Sequence, residues 1–377
     1  MTLPPNAPGR LDAWTCHAGD VEFTITAPAQ WLAAQRAFLS GFLTAPPGEL
    51  DLGGFSIRVN NSDAAYQQAA QTATRLPGTR IEPVPGLTML ESAEPSGLRR
   101  YVIMSDEVEH QPGAYTVAVE GRRIALFLLS GAPRPHRYPV RLIREAMLRT
   151  YEDAGAVIFH AAGVDVCGAG VMICGPRGAG KTTMAAALLR SGGAALMAND
   201  RVLALPGGHL VAVPLPVPAG RGTIEAFPEL EQAARRAQAG IGGPATLPAE
   251  FGSAVKHPFT ARQFAAAFGA GLAPASVLRL VVIARLADTR DPVRLRYLRE
   301  ASARRVLAES CFTPRDEFWA RPWLVPRLRG DDELQRQADA AVAGIARSVP
   351  CVQVSFGVRG PIADLVRTVG ELAAGLW

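Results

Sequence analysis

The chain has 377 residues, 48% of them hydrophobic and 19% charged. That is too apolar and too weakly charged for a disordered chain. Its 37 glycines and 30 prolines follow no fixed period, which excludes collagen-like and low-complexity readings. At about 100–200 residues per domain, the length allows two or three domains.

The net charge of +5 arises from 39 basic against 34 acidic residues. No run of five or six basic residues occurs, so nucleic acid is not an expected partner. Only Lys181 and Lys256 are lysines; every other basic side chain is arginine. A GC-rich coding sequence replaces lysine wherever arginine serves. A retained ammonium therefore stands out, because the two cations are not interchangeable at tight sites. The cysteines are Cys16, Cys167, Cys174, Cys311 and Cys351, with no CxxC and no zinc spacing. Cys167 and Cys174 lie in apolar segments and read as small core residues. The first residues carry no basic-then-apolar signal pattern. The longest uncharged apolar stretch, near Phe264–Leu278, is too short to span a bilayer and contains Pro274. A reduced, cytoplasmic protein without a membrane partner is expected.

In chain order, residues 21–28 alternate as a strand, and Gln30 to Leu43 places Trp31, Ala34, Phe38 and Phe42 on one helical face. Residues 55–60 and 101–108 read as strands, and 116–130 as a hairpin turning at Glu120-Gly121. No chemical motif occurs in this part, which reads as an N-terminal α+β accessory domain over residues 1–135. The breaker cluster Gly131–Pro135 marks its boundary, and residues 136–377 form the second domain. There a helix from about Pro139 to Gly155 buries Val140, Ile143, Met147 and Tyr151. Two apolar strands follow, 156–164 and 170–174, then a helix beginning near Lys181, then a strand over 194–200 that ends in polar residues. Residues 206–258 are Pro- and Gly-rich and expected to be loop-heavy. A core strand at 279–286, a helix around Leu334–Ile345, a strand at 351–357 and a helix from Pro361 to Leu376 complete the chain.

Chemistry concentrates at Gly175-Pro-Arg-Gly178-Ala179-Gly180-Lys181-Thr182-Thr183, which fits G-x-x-x-x-G-K-[ST]. Glycines let the backbone curl so that successive N–H groups face phosphate oxygens, and the following helix adds its positive N-terminal end. Lys181 suits the β- and γ-phosphates of ATP, and the Thr182 hydroxyl suits Mg²⁺. The motif has its required context, an apolar strand before and an Ala/Leu-rich helix after. Asp200 ends the next strand, where a carboxylate holds Mg²⁺ directly or through water, accepts a proton from a hydroxyl nucleophile, or caps a turn. Asn199 can assist by hydrogen bonding only. His160 is either a hydrogen-bonded core histidine or a group that orients Asp200 or meets the transferred phosphoryl group. Lys256 is a retained ammonium for the γ-phosphate or acceptor, or an ordinary solvated lysine. Arg221, among glycines, contacts phosphate or acceptor from a loop, or is solvated. His257 carries no assigned role.

Residues 160–205 resemble the core of the HPr serine kinase/phosphorylase superfamily. A His opens the strand pair, a P-loop follows closely, and Asp-Arg-Val follows the next strand. The resemblance covers about 45 residues well and extends loosely towards residue 300; the first 135 residues match nothing. It implies an α/β P-loop core related to phosphoenolpyruvate carboxykinase and transfer of the ATP γ-phosphate to a serine hydroxyl. It also implies phosphate binding at Gly175–Thr183, metal at Thr182 and Asp200, a supporting polar role for His160, and a homo-oligomer. Two departures stand out. Asn199-Asp200 replaces the usual paired aspartates, and Thr183 replaces the acidic residue usual after the P-loop Ser/Thr. These suit the looser kinase relatives of peptide biosynthesis clusters, such as lasso-peptide kinases that phosphorylate a precursor's terminal serine. The acceptor expected is thus a peptide or protein hydroxyl. Two alternatives stand beside it: a small-molecule kinase, and a nucleotide-binding regulator that transfers nothing.

Overall fold

The computed structural model describes residues 10–40, 50–106, 115–132, 134–236, 247–253, 255–316 and 321–376. The chain is mixed α/β, with large mixed sheets in two compact units. One comprises residues up to Thr150 with Arg315–Leu328; the other comprises Tyr151–Pro314 with Arg329–Trp377. The division falls within one long helix, beyond the Gly131–Pro135 breaker, and the first unit also draws on a segment far along the chain.

The first unit contains β1 (Leu11–Ala18), β2 (Val21–Pro28), α1 (Ala29–Leu39), β3 (Gly54–Asn61), α2 (Asp63–Arg75), β4 (Gly78–Val84), β5 (Leu87–Ala93), β6 (Arg99–Asp106), β7 (Tyr115–Glu120) and β8 (Arg123–Leu128). Its eight-stranded sheet has the order β1-β2-β3-β8-β7-β6-β5-β4. β3 runs parallel to both neighbours, and the other pairs are antiparallel. The hairpin turn falls at Gly121 as the sequence indicates. β1, β4 and β5 carry no clean alternation signal and were not expected. In α1 the buried residues are Trp31, Leu32 and Leu39, whereas Ala34 is exposed. Trp31 is inside as expected and Phe38 is half-buried, but Leu32 and Leu39 complete the buried stripe in place of Ala34, and Phe42 lies outside the described residues. The returning segment is fastened by Arg99, whose Nη1 and Nη2 donate to the Trp323 and Leu324 carbonyls at 3.0 and 2.9 Å. Tyr101 Oη donates to the same Trp323 carbonyl at 2.6 Å.

α3 (Arg137–Asp153) leads into the second unit, with β9 (Val157–Phe159), β10 (Ala161–Val166), β11 (Ala169–Cys174), α4 (Lys181–Ser191), β12 (Ala194–Ala198), β13 (Val202–Ala204), β14 (His209–Ala212), β15 (Val217–Ala219), α5 (Arg221–Ala226) and α6 (Pro228–Arg236). Then follow β16 (His257–Phe259), α7 (Ala261–Ala267), β17 (Ala275–Ala287), β18 (Arg294–Tyr297), α8 (Glu300–Glu309), α9 (Asp331–Ser348), β19 (Cys351–Gly357) and α10 (Ile362–Ala374). Residues 206–258 thus hold more regular structure than their composition suggests. The single strand expected over 156–164 is two. The backbone steps out at His160, whose N–H donates to the Ser310 carbonyl at 2.7 Å; β9 then pairs with β13, and β10 with β11.

At the centre of the second sheet, β17 lies between β11 and β19 and runs parallel to both. Such strands are covered on both faces, which explains their near-continuous apolar runs. Val171, Ile173, Val282 and Val354 face a core shared with α4 and α10. Met172, Cys174, Val281 and Ile283 face a core shared with α8 and α9. The free thiol of Cys174 is buried, as expected of a core residue, but Cys167 is exposed. It occupies the β10–β11 turn at φ 49°, outside both strands.

The end of β19 is tightly seated. A Cβ on Gly357 would fall 2.5 Å from the Thr289 carbonyl oxygen and 2.7 Å from the Asp291 nitrogen, both backbone atoms that cannot swing away. Gly357→Ala is therefore expected to destabilise the protein by about 1–3 kcal/mol, read as a lowered urea midpoint. An unchanged midpoint would contradict this packing.

Candidate functional site

Three neighbouring strands bring the chemistry-bearing residues to one edge. β11 ends at Cys174, opposite Ala161 at the start of its antiparallel partner β10. β12 is antiparallel to β10 and ends with Ala198 opposite Gly163. Gly175 and His160 are thus the next residues, and Asp200 the second residue, beyond the same end of the sheet. It is also the carboxyl end of the parallel strands β11, β17 and β19, where open α/β sheets place their ligands.

The loop from Gly175 to Gly180 needs its glycines. Gly180 has φ +95°, and a Cβ there would lie 3.0 Å from Leu286 Cβ and 3.1 Å from Phe356 Cζ. The loop therefore rests on the ends of β17 and β19. The Leu286 N–H donates to the Ala179 carbonyl at 3.0 Å and ties it there. α4 begins at Lys181 with no side-chain cap and no acidic residue in its first turn. Its first amides lack intrahelical acceptors and form an anion-binding end.

Lys181 is buried, and its Nζ donates to the Gly175 and Pro176 carbonyls at 2.8 and 3.2 Å. The ammonium is thus held across the loop mouth. Thr182 is half-buried. The Thr183 hydroxyl is turned to α5, 2.9 Å from the Thr223 hydroxyl, so Thr183 offers its amide rather than its side chain.

Asp200 sits between His160 and Arg201. Its Oδ1 is 3.5 Å from His160 Nε2, and its Oδ2 accepts from the Arg201 guanidinium. Phe312 backs both partners: the His160 ring stacks on it at 4.9 Å, and the Arg201 guanidinium lies 5.2 Å from its centroid. The Phe312 N–H is fixed to the Ile158 carbonyl at 2.7 Å. His160 is therefore a partner of Asp200. Asn199 is buried, and its Oδ1 makes no hydrogen bond among the described residues.

Lys256 lies just before β16, half-buried. Burial holds its pKa below the usual lysine range, the nearby Arg177 charge lowers it further, and Asp200 opposes both. Lys256 thus shares the electrostatic field of the loop and of Asp200. Arg221 is different. It opens helix α5 rather than a loop, its Nε donates to Glu225 Oε1 at 2.6 Å, and among the described residues it makes no hydrogen bond or ion pair with the P-loop. His257, left without a role, is buried with Nε2 unbonded, and burial lowers its pKa.

The sequence assigns no role to Arg201, which it shows only within Asp-Arg-Val, and gives no sign of Phe312 and Thr223. Arg201 had a local signal, its place beside Asp200. Phe312 and Thr223 reach the site only through the fold.

The donor set has a clear chemical character. Curled amides, a helix end and an ammonium suit the phosphates of a nucleoside triphosphate. A threonine hydroxyl and one carboxylate suit Mg²⁺, which keeps several waters and takes its other oxygens from phosphate rather than from a dedicated protein cage. Among the described residues no group of three or more His, Cys, Asp or Glu side chains is placed to hold a metal ion. A scan against protein-family models matches none, and a search of curated proteins likewise finds no match.

Gly180→Ala combines backbone strain with a clash against Leu286 and Phe356. It is expected to weaken binding of a nucleoside triphosphate by about tenfold or more, measured by calorimetric titration. Unchanged affinity would show that the loop does not hold the phosphates.

Proposed function

We propose that the chain is an ATP- and Mg²⁺-dependent kinase that transfers the γ-phosphate to a hydroxyl, that of a serine in a peptide or protein. Its core would then be of the HPr kinase type, related to phosphoenolpyruvate carboxykinase. The observation that carries this reading is the convergence of the Lys181 loop and the His160–Asp200 pair on one edge of adjacent strands. Phosphoryl transfer asks little covalent work of a protein; it asks for phosphate clamping, charge neutralisation and a positioned base.

Each task has a residue. The loop amides and the α4 end receive the phosphates. Lys181 exchanges its two carbonyl partners for phosphate oxygens. Thr182 and Asp200 are the residues that would hold Mg²⁺, which supplies neutralisation of the phosphate charge when bound. His160 fixes the direction of Asp200, and Asp200 takes the proton from the acceptor hydroxyl. The acceptor oxygen forms its bond to the γ-phosphorus as the bridging oxygen departs with ADP. Lys256 adds positive charge on the acceptor side. No helix among the described residues is long and apolar enough to cross a membrane. A nucleotide switch without transfer is favoured by one feature, the single carboxylate left by Asn199.

Incubation with γ-labelled ATP and serine-containing peptides separates the two. Label in the peptide is expected; nucleotide occupancy with neither transfer nor turnover would establish the switch. Lys181→Ala removes a charged hydrogen bond of about 1.5–3 kcal/mol and should weaken ATP binding accordingly. Asp200→Asn should bind ATP and lose transfer, and full activity in that variant would remove Asp200 from the mechanism.

Lys256 also predicts a pH dependence. Its lowered pKa means that the free protein loses this ammonium below the usual lysine range of about 10.4. Transfer should therefore fall on the alkaline side as the charge is lost, and Lys256→Arg should move that limb of the kcat/KM profile to higher pH. Superimposable profiles would exclude the ammonium from the reaction.

A further inference from the structure

We propose that β18 is a docking edge for an extended acidic segment of a partner peptide or protein. The proposal goes beyond phosphotransfer and does not require it. Among the described residues β18 pairs only with β19, so every other amide and carbonyl of its outer edge points away from the sheet. All four of its residues are exposed. Alternation puts Arg294 and Arg296 on one face and Leu295 and Tyr297 on the other, the latter two 42% and 69% exposed.

The arginine face continues across the sheet. Arg294 lies opposite Ser355, which lies opposite Arg285 on β17; Arg296 lies opposite Gln353. Together with Leu295, which the same concavity reaches, these residues line a concavity of about 530 Å³. Within it, Arg296 Nη2 donates to Gln353 Oε1 at 2.9 Å, and Gln353 Nε2 donates to Ser355 Oγ at 3.0 Å. The acceptors are thus engaged within the wall, and guanidinium N–H groups and the Ser355 O–H remain to donate outwards. The nearby carboxylates are used elsewhere: Asp288 binds Arg359 at 2.8 and 2.9 Å, and Asp291 accepts from Thr289 at 2.8 Å. Arg285, Arg294 and Arg296 form no ion pair among the described residues.

Like charges on facing positions repel. A second copy added antiparallel to this edge with the same faces aligned would set arginine against arginine, which disfavours that self-pairing and favours an acidic partner. Charge placed only to guard an edge would leave no reason for two large apolar side chains on the other face. An added strand alternating carboxylates with apolar residues satisfies both faces at once, with main-chain bonds supplying affinity and side chains specificity.

The test is fluorescence anisotropy of the full chain with short labelled peptides, without nucleotide. A peptide alternating Glu and Val should bind, more weakly as salt rises; one alternating Lys and Val should not. The double variant Arg294→Glu/Arg296→Glu should reverse that preference, each lost pair costing about threefold to tenfold in affinity. A Glu/Val peptide N-methylated at alternate amides should lose binding. Absence of Glu/Val binding, an unaltered preference in the double variant, or full binding of the N-methylated peptide, as expected if the concavity takes carboxylates without strand addition, would each overturn the proposal. Lys181→Ala should bind the peptide like the parent chain, so failure of the kinase reading and failure of this one are separable.

Discussion

The hydrogen bond from the Leu286 amide to the Ala179 carbonyl, 3.0 Å long, joins the glycine loop to the end of the central strand. Much of the second unit is arranged around that join. β17 is the strand that both β11 and β19 need as a parallel partner, and its end is the seat on which Gly180 rests. Because the seat is backbone and packed side chain, the loop has a shape before any ligand arrives. A loop formed in advance spares the ordering entropy that a flexible one would lose on binding.

The same edge concentrates charge in a small space. Lys181 is buried against carbonyls, and Asp200 is bracketed by His160 and Arg201. Phe312 supplies a flat apolar wall to both brackets. Removing water from such a cluster strengthens every interaction within it. It also makes each partner dependent on the others, since a buried charge stripped of its partner is costly. Asp200 is only partly exposed, at 34% of its side chain, so it remains reachable by a ligand while its direction is set from behind.

The two faces of the β17–β19 region serve different ends. Leu286 and Phe356 support the glycine loop. Their immediate neighbours Arg285 and Ser355 point, by strand alternation, to the opposite face and the arginine-lined concavity. One pair of strands thus supplies an apolar seat for one surface and a cationic wall for another, using successive residues.

By itself the sequence determined the features that are local. The glycine spacing before Lys181, the apolar strand into it and the helix after it follow from backbone freedom, burial and periodicity within one short stretch. The helices at Asp331–Ser348 and Ile362–Ala374 were legible for the same reason. Tertiary structure alone decided whatever depends on distant residues meeting. The break at His160 arises because Ser310 draws its amide out of the ladder. Arg221 sits on a helix because α5 packs beside Thr183 through Thr223, and the stripe of α1 is chosen by the sheet it covers. Strands β1, β4 and β5 are selected by hydrogen bonding to neighbours rather than by their own patterns. The pairing of His160 with Asp200, and the wall that Phe312 makes behind them, rest on strand order, and strand order is set by long-range hydrogen bonds and burial, which no single segment encodes.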